Sequence, residues 1–137
     1  MTAGLRTDGD RLLRRIGELA TIGPIEGGGS CRLALSEEDR LGRDLVVVWM
    51  RDLGLDVTID GIGNVVAVRP GRLEGPPTMT GSHIDTVRTG GRYDGNLGVL
   101  AGLEVIETLA ENGVETEHPL AVAFFTDEEG SRFPPDM

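Results

Sequence analysis

Apolar and polar positions alternate along this chain with two periods, and the switches between them mark its elements. Over residues 10–20, charged groups interleave with Leu12, Leu13, Ile16 and Leu19 at helical spacing, which predicts an amphipathic helix. Residues 23–34 (GPIEGGGSCRLA) then break into glycine and proline and read as a loop. Ser36 has an N-cap side chain, and Glu37, Glu38 and Asp39 stand in the first turn, where the helix dipole favours acids. Leu41, Leu45, Val48, Trp49 and Leu53 recur at core spacing, and Gly54 supplies the stop, so a second helix is predicted.

The period then changes to two. DVTID (56–60) and VVAVR (65–69) read as strands, and the GIGN between them closes a hairpin. After the loop PGRLEGPP, TMTGSHIDTV begins as a short strand and runs into a loop. Residues 95–112 return to helical spacing, with Leu97, Leu100, Ala101, Leu103 and Ile106 to pack and Glu104, Glu107 and Glu111 on the solvent stripe. PLAVAFFT (119–126) is a continuous apolar run, the pattern of a central strand buried on both faces. The order αα, ββ, β, α, β predicts an α/β fold, with helices packed on a mixed β-sheet. No repeat or linker interrupts residues 1–137, so one domain unit is expected.

Composition changes this picture in three ways. Aromatic residues are only 4% of the chain, so Val, Leu, Ile and Ala must build the core. A net charge of −10 argues against nucleic acid or an anionic membrane as partner. The polar N-terminus has no apolar signal core and no run reaches membrane-span length, so a cytoplasmic protein is expected. Cys31, the single cysteine, cannot form an internal disulfide and reads as a free thiol.

The candidate chemistry collects where elements end. His83 and Asp85 close one strand, Asp94 precedes a helix, and Asp127, Glu128 and Glu129 follow the buried strand. Imidazole and carboxylates are the usual ligands of Zn²⁺ or Mn²⁺. His83 and Asp85 are two apart, so in extended chain Asp85 can accept the second ring N–H of His83. Asp94, set among glycines, can bridge two cations or simply cap the next helix. Adjacent Glu128 and Glu129 point in different directions, which suits one metal ligand and one proton-moving base. Other templates fail. GIGNVV lacks the third glycine of a dinucleotide fingerprint, no phosphate-loop motif is present, and GGGSCR lacks the last glycine of a serine elbow. His118, before Pro119, reads as a surface residue.

GSHIDTVRTGGRYDGNLGVLAGLEV and AFFTDEEGSRF, with the LSEEDR helix start and the DGIGNVVAVRPG hairpin, resemble the N-carbamoyl-L-amino-acid hydrolases. Allantoate amidohydrolases and β-ureidopropionases are of the same kind, within the aminoacylase/carboxypeptidase-type dinuclear metallopeptidase superfamily. The resemblance implies two divalent metal ions, zinc or manganese, cobalt or nickel in its place. It implies that His83 binds one metal, Asp94 bridges both, Glu129 ligates the other, Glu128 is the general base and Asp85 orients His83. The implied reaction cleaves the carbamoyl C–N bond of N-carbamoyl-L-amino acids or related ureido compounds such as allantoate and β-ureidopropionate. It also implies a cis peptide between Asp94 and Gly95, and Arg88 stands where relatives often carry proline. Members of the family are longer. They place two further histidine ligands downstream, with a lid domain that carries substrate groups and a homodimer interface. The chain therefore corresponds to the N-terminal portion of the catalytic domain, without the lid. Alone it is expected to be nearly inactive, with open sheet edges and exposed apolar faces. Two rival readings are a non-catalytic binding or assembly module of the same descent, and an aminoacylase or dipeptidase with the same metals.

Overall fold

The computed structural model describes residues 4–135. Met1–Ala3, at the head of the polar N-terminal segment, and Asp136–Met137 lie outside the described residues. The elements run α1 (Gly9–Leu19), α2 (Glu37–Asp52), β1 (Asp56–Ile59), β2 (Val65–Arg69), β3 (Thr78–His83), α3 (Asn96–Glu111) and β4 (Leu120–Phe125). Each coincides with a predicted element to within a residue or so at its ends. The sheet order is β1-β2-β4-β3, antiparallel except for the parallel pair β3–β4. It is thus a mixed sheet with helices packed on it, as the order of elements predicts.

Local chemistry accounts for the boundaries. The Ser36 side chain accepts from the Asp39 N–H, and Asp39 in turn accepts from the Leu35 N–H, so α2 starts inside a reciprocal cap. Asp8 caps α1 the same way, accepting from Arg11 N. Ala121–Phe124 are all buried, and since alternate residues face opposite sides, β4 is covered on both faces. β3 is its opposite. Thr78–Gly81 are exposed along the sheet edge, where Met79 and the neighbouring Val105 leave apolar surface open.

The core joins Ile16 and Leu19 of α1, Val46, Val47 and Met50 of α2, and Val99, Leu100, Leu103 and Ile106 of α3 to Val65, Ala67, Val122 and Phe124 of the sheet. Three expectations about faces need correction. Leu41 and Val48 are 43% and 49% exposed, because α2 turns Gly42, Val46 and Met50 inward instead. Leu13 and Leu97 likewise face outward. Most consequential, Glu104 is not on a wet stripe but is 1% exposed. Its carboxylate accepts from Arg11 Nε (2.7 Å), Arg11 Nη2, Asp8 N and the Thr108 hydroxyl, while Arg15 pairs with Glu107 at 2.7 Å. The basic side of α1 packs against α3, and the acids predicted to meet water meet arginines. No helix among the described residues is long and apolar enough to cross a membrane.

Candidate metal centre

Parallel pairing of β3 with β4 sets His83 beside Phe125, so the two strands release their chains at the same sheet edge. In open α/β sheets, the carboxyl ends of strands are where sites gather. His83 ends β3 and is buried; Asp85, 3% exposed, follows it. The chain then loops out and returns through Asp94 to α3, while β4 passes into Asp127, Glu128 and Glu129.

The imidazole is fixed from behind. His83 Nδ1 lies 2.8 Å from the main-chain carbonyl oxygen of Asp85, which can only accept, so Nδ1 carries the proton and Nε2 presents its lone pair. The Asp85 carboxylate is farther away, Oδ1 lying 3.7 Å from Nδ1. It accepts instead from the main-chain N–H groups of Glu128 (3.4 Å) and Glu129 (3.2 Å). Asp85 therefore holds the imidazole with its backbone and the glutamate turn with its side chain.

In front, Nε2 faces Asp94 Oδ1 at 3.7 Å and Glu128 Oε2 at 3.3 Å. Donor atoms of His83, Asp94 and Glu129 all lie within 4.8 Å of one another. Ligands about 2.0–2.2 Å from one ion sit roughly 3–3.5 Å apart, so a small contraction suffices. One neutral nitrogen and two carboxylates fit a divalent cation. Burial pushes the Glu129 carboxyl above its usual range, and the carboxylates of Asp94, Glu128 and Asp85 add to this while His83 opposes it. A cation is what would relieve that crowding.

The turn at Asp94 differs from expectation. The peptide to Gly95 is not cis; among the described residues only Pro134–Pro135 is. Gly95 instead takes φ +70 and ψ −53, and Asn96 N donates to Asp94 O at 2.8 Å, closing a three-residue γ-turn. A Cβ at Gly95 would lie 2.6 Å from both Nδ1 and Cε1 of His83 and collide with His83 O. Glycine is needed there for close approach to the imidazole as much as for the turn.

His118 is exposed and remote from this edge, and Cys31 is a half-buried free thiol, as expected. Sequence reasoning missed the supports. Asn64, read only as a turn residue, accepts from Thr126 N at 2.9 Å, and Arg43 donates to Gly63 O and to the Thr126 hydroxyl, fixing the root of the glutamate turn. Arg32, inside the glycine-rich loop, is 0% exposed. Its one trace in sequence is Gly42, a glycine in mid-helix with no turn to justify it.

Comparison with known proteins follows this geometry. A family model for peptidase family M20/M25/M40 matches residues 79–135, the stretch from β3 through the glutamate turn. An N-carbamoyl-L-amino acid amidohydrolase of Geobacillus stearothermophilus is 46% identical over 126 residues, 91% of this chain and 31% of that protein. An N-carbamoyl-L-amino-acid amidohydrolase of Rhizobium meliloti is 43% identical over 133 residues, 96% of this chain and 32% of the relative. The crystal structure of a hydantoinase/carbamoylase family amidase from Burkholderia vietnamiensis superposes with a TM-score of 0.96 at 49% identity, over 99% of this chain and 33% of that one. The chain spans about a third of the length of the relatives it matches.

Proposed function

Because the chain belongs to the hydantoinase/carbamoylase family of amidases, we propose that it is the first, ligand-bearing part of the catalytic domain of a metal-dependent amidohydrolase acting on N-carbamoyl-L-amino acids or related ureido compounds. The observation that carries this reading is the convergence of His83, Asp94 and Glu129 donors within 4.8 Å at the end of the parallel pair. His83 through Nε2 and Asp94 would hold one ion, and Asp94 and Glu129 would serve the second ion that the resemblance implies, all three donors lying in this one cluster. A divalent metal held there supplies Lewis acidity toward the carbamoyl carbonyl. Glu128, half-exposed at the rim and 3.3 Å from His83 Nε2, is the base that takes a proton from water and passes it to the leaving nitrogen. Asp85 keeps the imidazole in the binding tautomer. Water and a carbamoyl amino acid would give the free amino acid, CO₂ and ammonia.

The remaining metal ligands, the groups that select the substrate and a homodimer interface belong on this reading to chain beyond the residues given. A cytoplasmic location and no nucleic-acid partner are part of the proposal, supported by the net charge of −10 and the ureido chemistry of the relatives. The test is ammonia release from N-carbamoyl-L-amino acids with added Zn²⁺, Mn²⁺, Co²⁺ or Ni²⁺. A polypeptide carrying these residues within a relative-length chain is expected to turn over, and Glu128→Gln to abolish turnover with metal still bound. Full activity in Glu128→Gln would refute the assignment. The 137-residue chain alone is expected to release little ammonia, because a two-metal site short of ligands lacks its geometry; robust release by it would overturn that part.

A further inference from the structure

Arg32 is a fully buried cation whose acceptors are all uncharged. Nε donates to Ile84 O (2.8 Å), Nη1 to Ile22 O (2.9 Å) and Leu19 O (3.3 Å), and Nη2 to Asn96 Oδ1 (3.1 Å). Its backbone binds the same neighbourhood: Arg32 N donates to the Thr86 hydroxyl and Thr86 N to Arg32 O, both at 2.8 Å. A charge held this way is costly, and an apolar side chain of equal volume is often no less stable. Burial pulls the guanidinium pKa down, and only the Asp39 and Asp85 carboxylates, neither in contact, oppose this.

The fold gives up helix propensity to admit this group. Gly42 sits inside α2, where glycine weakens a helix, and a Cβ there would lie 2.8 Å from Arg32 Cδ and 3.2 Å from Nε. The carbonyls of Leu19 and Ile22, at and just beyond the C-terminal end of α1, offer the negative end of a helix dipole.

What the guanidinium joins is specific. Ile84 and Thr86 flank Asp85 in the segment that follows His83. Asn96 immediately follows the Asp94–Gly95 turn, and its Nδ2 donates to Arg92 O at 3.1 Å, spanning that turn. We propose that Arg32 is a positioning residue for the metal centre: its planar fork ties the His83–Thr86 segment to the Asp94–Asn96 turn and so sets the separation of two metal ligands. This rests on the metal reading given above. Lysine cannot replace it, because one ammonium cannot reach acceptors on three sides in a fixed plane.

The experiment compares Zn²⁺ affinity, by equilibrium dialysis of the folded chain, with thermal stability by circular dichroism. The variants are Arg32→Lys, Asn96→Ala, His83→Ala and the core control Leu103→Ala. Supports behind metal ligands carry about ten- to a hundredfold in affinity. Arg32→Lys is expected to lose that much and Asn96→Ala, which keeps the arginine, a severalfold part of it. Leu103→Ala is expected to melt earlier yet bind like wild type once corrected for folded fraction. If Arg32→Lys does not fold, Asn96→Ala decides. Affinities within twofold of wild type for Arg32→Lys and Asn96→Ala, with His83→Ala binding lost, would overturn this inference alone. No saturable Zn²⁺ binding by wild type, or binding unchanged in His83→Ala, would overturn the metal reading and this inference with it.

Discussion

Replacing Glu104 by alanine should unfold this protein far below its normal melting temperature. The residue is 1% exposed and is bound by Arg11 through two guanidinium nitrogens, by Asp8 N and by the Thr108 hydroxyl. Arg11 is itself only 13% exposed and keeps only the more exposed Glu107 and Glu111 as partners, so the substitution removes its innermost counter-charge and strands two neutral donors. Breaking a buried pair from one side costs about 3–5 kcal/mol. For a domain of this size, that corresponds to a melting temperature lowered by about 10–20 °C. The pH dependence gives a second readout. Burial raises the Glu104 carboxyl, but Arg11, Asp8 N and Thr108 together hold it below its ordinary range. A depressed carboxyl contributes stability above its unfolded value, and that stability is lost as pH falls through the folded one. Wild type should therefore lose stability on acidification more steeply than Glu104→Ala. Differential scanning calorimetry from pH 3 to 7 measures both. A shift under about 3 °C at pH 7, or equal acid slopes, would refute the reasoning.

Two further substitutions test the site from the stability side. Glu129→Gln should raise the melting temperature of the metal-free chain at pH 7. The wild-type carboxyl is pushed up by burial and by Asp94, Glu128 and Asp85, so its ionised form opposes folding and the wild-type penalty grows as pH rises through the folded pKa; a melting temperature at or below wild type would count against this. Gly95→Ala should destabilise by about 2–4 kcal/mol, from a positive φ and a contact with the imidazole that cannot be relieved. Adding His83→Ala should restore only part of this, since the clash with His83 O remains; wild-type stability in Gly95→Ala would exclude the γ-turn.

Much of the fold was legible because local signals agreed with the tertiary answer. Ser36 with its three following acids marked a cap, DGIGN marked a hairpin, and the apolar run 120–125 marked a strand buried on both faces. The errors fell where packing between helices overrides period. Glu104 reads as solvent-facing until α1 arrives with Arg11, and Leu41 and Val48 read as core until Gly42 turns inward over Arg32. At the site, the candidate ligands stood out as polar groups at element ends, and the parallel pairing of β3 and β4 brings them to one edge. Their supports were not. Asn64, Arg32 and the Asp85 carboxylate act through main-chain atoms distant in sequence, and a chain read locally carries no mark of such contacts.

The central claim is that His83, Asp94 and Glu129 form one metal centre, and zinc-edge X-ray absorption of the chain loaded with one equivalent of Zn²⁺ tests it most directly. The account predicts nitrogen and oxygen neighbours at about 2.0–2.2 Å, no sulfur, and loss of the imidazole signature in His83→Ala. A zinc–sulfur distance of about 2.3 Å, placing the ion on Cys31, or a spectrum unchanged by His83→Ala, would contradict it.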